Sequence, residues 1–136
     1  QQEKRIGIVS FTITNIHYNL IVRLLNDRFG FQVRGGCSCA GTYGHYLLDI
    51  DQNKSKQIAE QIDQGDLSTK PGWVRFSIHP IMTNAEVLLF VDAIKEITRN
   101  IGEWKKDYVY DPASNDYFFN QHVRQDMSPL FSLDEV

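Results

Sequence analysis

The sequence predicts an α+β domain, a two-layer sandwich of a three-stranded, mostly antiparallel sheet with helices on one face. Three observations carry this expectation. Short β-favouring runs at residues 5–14, 31–33 and 73–79 alternate with two segments of helical apolar spacing. Those two segments are amphipathic on a single stripe, so each helix has one layer to pack against. The 136 residues, 42% hydrophobic and 23% charged, suffice for one domain with a core.

In chain order, the first strand spans residues 5–14, where Ile6, Ile8, Val9, Phe11 and Ile13 stand close together. Such a near-continuous apolar run predicts burial on both faces for part of its length. A helix follows over residues 15–29, with Asn15 as N-cap and Leu20, Ile21, Leu24 and Leu25 as its stripe. Gly30 is placed to end it in a left-handed cap. Phe31, Gln32 and Val33 form a second short strand that runs into a Gly35-Gly36 turn.

Residues 42–50 predict a short apolar and aromatic helix, and residues 54–64 a surface helix with Ile58 and Ile62 four apart. Together, residues 42–72 form an insert. The third strand alternates, with Val74, Phe76 and Ile78 on one face and Trp73, Arg75 and Ser77 on the other. Thr83-Asn84-Ala85-Glu86 is a capping box, opening a helix to about Ile101 with Val87, Phe90, Val91, Ile94 and Ile97 inward. The domain is expected to occupy residues 1–102. Residues 103–136 lack clear periodicity and read as an extension that packs over a surface.

The net charge of −3 gives no basic patch for nucleic acid and no polybasic membrane stretch, and no apolar run is long enough to span a bilayer. The two cysteines, Cys37 and Cys39, are spaced awkwardly for a disulfide. The lack of a disulfide framework fits a reducing, cytoplasmic location. The chain opens on Gln1 and enters a strand at once, which is expected of a piece cut from a longer polypeptide.

The chemistry concentrates in one loop, Arg34-Gly35-Gly36-Cys37-Ser38-Cys39-Ala40. Two glycines after a strand allow positive φ and close approach to another backbone or a ligand, and a following cysteine can be presented outward. A cation near such a thiol favours the nucleophilic thiolate. Two buried cysteines in an ordinary turn fit the composition equally well. A metal half-site of Cys37, Cys39 and His45 is a weaker alternative, because one Cys-x-Cys without a second pair is incomplete. Arg75, in mid-strand, needs a partner, either a structural carboxylate of the chain or a ligand carboxylate or phosphate. His17, His45, His79 and His122 read as surface or satisfied histidines. The chain has no Gly-rich phosphate loop opening a helix, no Ser-His-Asp order, and no lysine in an apolar setting. A nucleophile and a carboxylate clamp without an acid–base partner or cofactor cradle amount to half an active site.

The run from Val33 to Ala40, then Trp73-Val74-Arg75-Phe76-Ser77, then Thr83-Asn84-Ala85-Glu86, resembles the C-terminal small domain of class V aminotransferase-like enzymes. These are fold-type I pyridoxal-phosphate enzymes and include cysteine desulfurases, selenocysteine lyases and molybdenum cofactor sulfurases. The resemblance covers residues 5–101. It implies that Cys39 stands at the catalytic cysteine, that Arg75 binds the substrate carboxylate, and that Arg34, Gly35, Gly36, Cys37 and Ser38 form the mobile loop. It further implies pyridoxal 5'-phosphate held by a domain outside this chain, an amino acid substrate, and a homodimeric parent. The chain departs from the usual desulfurase at Cys37-Ser38 and in the insert, which leaves the substrate open. The contrasting expectation is a non-catalytic module that uses the Cys-x-Cys loop for a metal or protein partner.

Overall fold

The computed structural model describes residues 6–37 and 41–120. The fold is α+β, as the patterning predicts. Its elements run β1 (Ile8–Phe11), α1 (Tyr18–Phe29), β2 (Arg34–Gly36), α2 (Gly41–Leu47), α3 (Gln52–Asp63), β3 (Trp73–Ser77) and α4 (Asn84–Trp104). A 3-10 turn (Lys105–Asp107) then leads to a hairpin of β4 (Tyr108–Asp111) and β5 (Asp116–Phe119).

β3 is the central strand, flanked by β1 and β2 in the order β1-β3-β2, and both pairings are antiparallel. Its alternation is borne out: Val74 and Phe76 are buried. They meet Ile21, Leu24 and Leu25 of α1 and Phe90, Ala93 and Ile97 of α4 in one core. The Phe76 and Phe90 rings stack 3.8 Å apart between centroids. Each such side chain contributes about 1.5–3 kcal/mol by leaving water, so this cluster dominates the fold's stability.

Several local expectations are corrected. Asn15 does not cap α1, because it adopts a left-handed φ of 62°. His17 caps instead, its Nδ1 accepting from the Asn19 backbone N–H. Gly30 does take the expected left-handed cap, donating to the Asn26 and Leu25 carbonyls. β2 begins at Arg34, three residues after Phe31, so Gly35 and Gly36 lie in the sheet and not in a turn after it. Phe31 and Val33 precede the strand and pack inward. β1 is not buried on both faces, for it is an edge strand whose Ile8 and Val9 are 45% and 47% exposed. On α4, Val91 turns outward at 43% exposure, and Ala93 takes the inward place.

Residues 105–119 form a 3-10 turn and a hairpin that pack against the domain, and residues 121–136 lie outside the described residues. Tyr108 joins the main core, and the Arg23 guanidinium on α1 pairs with the Asp116 carboxylate on β5. At the hairpin turn, Asn115 has φ 54° and is buried. Asn tolerates this left-handed region better than other non-glycine residues. Its Nδ2 donates to the Tyr18 hydroxyl (2.6 Å), and its Oδ1 accepts from the Tyr110 hydroxyl (2.8 Å). The hairpin is thereby fixed to the first turn of α1, next to β2.

Candidate functional site

Antiparallel register builds the site from two distant stretches of sequence. Arg34 of β2 stands directly opposite Arg75 of β3, and Ser10 of β1 stands opposite Arg75 on its other side. Because side chains alternate along a strand, Ser10, Arg75 and Arg34 form one row on the sheet face away from Val74 and Phe76. Two like charges directly opposite each other repel. None of the five ion pairs among the described residues includes either arginine. The Arg75 Nε is buried and has no hydrogen-bond partner among the described residues. The structural ion pair weighed for Arg75 is therefore absent among the described residues. A half-buried guanidinium beside a second one has the charge and donors to pair with an anion.

The two glycines have separate physical reasons. A Cβ on Gly35 would stand 2.6 Å from Asn19 Oδ1 and 3.0 Å from Val22 Cγ2, so the strand can lie this close to α1 only without a side chain. Gly36 has φ +105°, which turns the backbone out of the strand toward Cys37. Close approach at Gly35 and positive φ at Gly36 both occur, within the strand and not after it.

Cys37 is half-buried, and its thiol donates to the Pro71 carbonyl at 2.7 Å. Burial pushes this thiol's pKa up, against a smaller opposing effect of Lys70. It is thus held protonated, facing the segment just before β3, and is a poor nucleophile. Ser38 and Cys39 lie outside the described residues. His45 lines the same cavity as Cys37, and its Nδ1 shares a hydrogen bond with Ser55 Oγ at 2.8 Å. Among the described residues no three His, Cys, Asp or Glu side chains gather as a metal site.

One further site feature was not legible in the sequence. A cavity of about 600 Å³ lies between β2, the start of α1, and the inward face of α3. Arg34 and Cys37 reach it from β2, while His45, Ser55, Ile58 and Lys70 reach it from the insert. The spacing of Ser55, Ile58, Ala59 and Ile62 along α3 hinted at a face, but not at what that face would meet.

Among the described residues no helix is long and apolar enough to cross a membrane. Comparison with curated proteins and with solved structures returns no match. Comparison with protein families does: residues 1–90 match the family described as Aminotransferase class-V. That span takes in β1, the Gly35-Gly36-Cys37 segment, the insert, and the strand that carries Arg75. The chain belongs to the aminotransferase class-V family.

Proposed function

We propose that this chain is the small domain of a pyridoxal-phosphate-dependent enzyme of desulfurase type, and that it contributes the substrate-carboxylate clamp and the nucleophilic thiol. The single observation that carries the reading is Arg75: a half-buried guanidinium with an unpartnered Nε, opposed by Arg34. An amino acid carboxylate satisfies that fork with two parallel hydrogen bonds and relieves the repulsion between the arginines.

No lysine among the described residues is prepared to carry the cofactor. Lys54, Lys56, Lys70, Lys95, Lys105 and Lys106 are all exposed, and none has the apolar surroundings that would prepare it for Schiff-base chemistry. In this reading the cofactor is held by a separate domain of the parent enzyme. In the parent, a homodimer in this reading, the small domain would close over that site with an amino acid between them.

The role of this chain then has three parts. Arg75 binds and orients the substrate carboxylate, with Arg34 adding positive potential from the neighbouring strand. Gly36 turns the chain out of the sheet ahead of Cys37, and Cys37 ties that segment to Pro71. The nucleophile in this reading is Cys39, two residues further along, which the family resemblance places at the catalytic cysteine. Its thiolate attacks the substrate sulfur, an S–S bond forms as the substrate C–S bond breaks, and the carbon takes up a proton. Cysteine and an enzyme thiol thereby become alanine and an enzyme persulfide, with no external oxidant.

The test is sulfide and alanine release from L-cysteine by the full-length protein. Cys39→Ala should abolish release while substrate binding persists, and Arg75→Ala should raise KM and lower kcat/KM. Unchanged sulfide release from Cys39→Ala would remove the nucleophile assignment. Unchanged kinetics from Arg75→Ala would remove the clamp.

A further inference from the structure

The cavity beside β2 has a composition that the proposed reaction does not use. Arg75 is not among its lining residues, and most of one wall comes from the insert. That wall is a face of α3, where Ser55, Ile58, Ala59 and Ile62 recur at helical spacing. Ile58 is buried, and Ile62 is half-buried and borders the open volume. The opposite wall is the Tyr18–Asn115 contact at the base of the hairpin.

The polar groups around the cavity fall into two classes. Most are already committed to each other. Cys37 donates to the Pro71 carbonyl, His45 bonds Ser55, Asn115 bonds Tyr18, and Asn19 donates to the Asn115 carbonyl. The exceptions are the two cations. Arg34 comes from β2 and Lys70 from the loop before β3, and neither forms an ion pair among the described residues. Among the described residues no aspartate or glutamate lines the cavity, although the chain has 17 acidic residues against 14 basic ones. The uncommitted polar capacity is therefore positive, and it shares the cavity with the apolar strip of α3 formed by Ile58, Ala59 and Ile62.

We infer that this cavity binds a small organic carboxylate with an apolar body, its head held between Arg34 and Lys70 and its body laid along Ile58, Ala59 and Ile62. A volume of about 600 Å³ is in the range of small-molecule sites, which combine an apolar lining with a few placed polar groups. The preformed Asn115, Tyr18 and His45 hydrogen bonds keep the walls rigid, which lowers the ordering cost of binding. A neutral head forgoes the charge-assisted contact with the two cations, and an ammonium head meets their repulsion. The inference does not depend on the proposed desulfurase activity, because it concerns a different set of side chains apart from Arg34 and Cys37.

The probe is sodium octanoate, titrated calorimetrically into the purified chain, with octylamine hydrochloride as the charge-reversed control of equal length. Octanoate should bind saturably at one site and octylamine should not. Lys70→Glu, on an exposed loop where it leaves the core untouched, should weaken octanoate binding about tenfold or more, as a lost charge-assisted contact does. Ala59→Trp, which fills the apolar groove, should do the same. Circular dichroism melting checks that both variants are folded, and Lys70→Glu decides the matter if Ala59→Trp is not. Equal binding of octylamine and octanoate, no saturable octanoate binding, or undiminished affinity in Lys70→Glu would each overturn the inference.

Discussion

If Arg75 is kept for a ligand and not for the fold, removing its charge should stabilise the chain without ligand. Arg75→Met keeps an unbranched stem of similar reach and deletes the guanidinium. The buried Nε–H has no partner among the described residues, and an unsatisfied buried donor costs about 1–3 kcal/mol. The cross-strand repulsion with Arg34 adds about 0.2–1 kcal/mol. Arg75 is only half-buried, so solvent screens part of both effects, and a net gain of about 1 kcal/mol is expected. For a domain of this size that gain raises Tm by about 3–5 °C. The assay is thermal and urea unfolding of the unaltered chain, Arg75→Met, Arg34→Met and the double variant. The double variant should gain less than the sum of the singles, because both remove the same repulsion. A fall in stability of about 1 kcal/mol or more in Arg75→Met, or an attractive coupling between the two positions, would refute the reasoning. The arginine would then be serving the fold.

Three further outcomes follow from the structure. Asn115→Ala should cost about 2–4 kcal/mol in urea unfolding, from left-handed backbone strain and two stranded tyrosine hydroxyls; Asn115→Gly should recover about 1 kcal/mol of this by removing the strain alone. Burial holds the His17 pKa below its ordinary value, so the unfolded chain takes up a proton first as pH falls. The stability it contributes is complete above about pH 6.5 and declines below that toward the lower folded value. Protonation at Nδ1 also removes the α1 cap, and the imidazole stacks on the Tyr18 ring with the Tyr110 and Tyr117 rings tilted against it. His17→Asn keeps a capping side chain and should flatten this acid-side decline in Tm. At the alkaline end, burial and the bond to Asp27 push Tyr108 up to about 12. Its share of stability is whole below about pH 10 and is lost as pH rises toward 12, so absorbance titration of Tyr108→Phe should lack the last tyrosine to ionise.

Where a side-chain pattern repeats locally, the sequence was enough. The alternation through Val74 and Phe76, the Thr83–Glu86 capping box and the Leu20–Leu25 stripe each named an element and its inward face. β2 was misplaced because a strand of Arg34, Gly35 and Gly36 offers almost no side-chain pattern, while neighbouring Phe31 and Val33 look strand-like. β1 reads as buried because its residues are apolar, yet no described element covers Ile8 and Val9. The hairpin did leave a signal. Asp111-Pro112-Ala113-Ser114-Asn115 is a turn-forming run between two β-favouring stretches, and the Asp111 carboxylate bonds Ala113 and Ser114 within it.

For the site, composition named the loop and Arg75, and family resemblance ranked Cys39 above Cys37. The arginine pair and the Cys37–Pro71 bond could not be read. Each joins residues some 34 to 41 positions apart, and depends on a strand register that no local spacing specifies.

The central claim is that a carboxylate held at Arg75 places an amino acid's sulfur within reach of the Cys39 thiol. The most direct measurement is mass spectrometry of the Cys39 peptide, after brief reaction of the full-length protein with L-cysteine and alkylation of free thiols. The account predicts a peptide one sulfur atom heavier at Cys39, absent at Cys37, and strongly diminished in Arg75→Met. Sulfur found at Cys37 instead, none at either cysteine while alanine accumulates, or an undiminished Cys39 persulfide in Arg75→Met would contradict it.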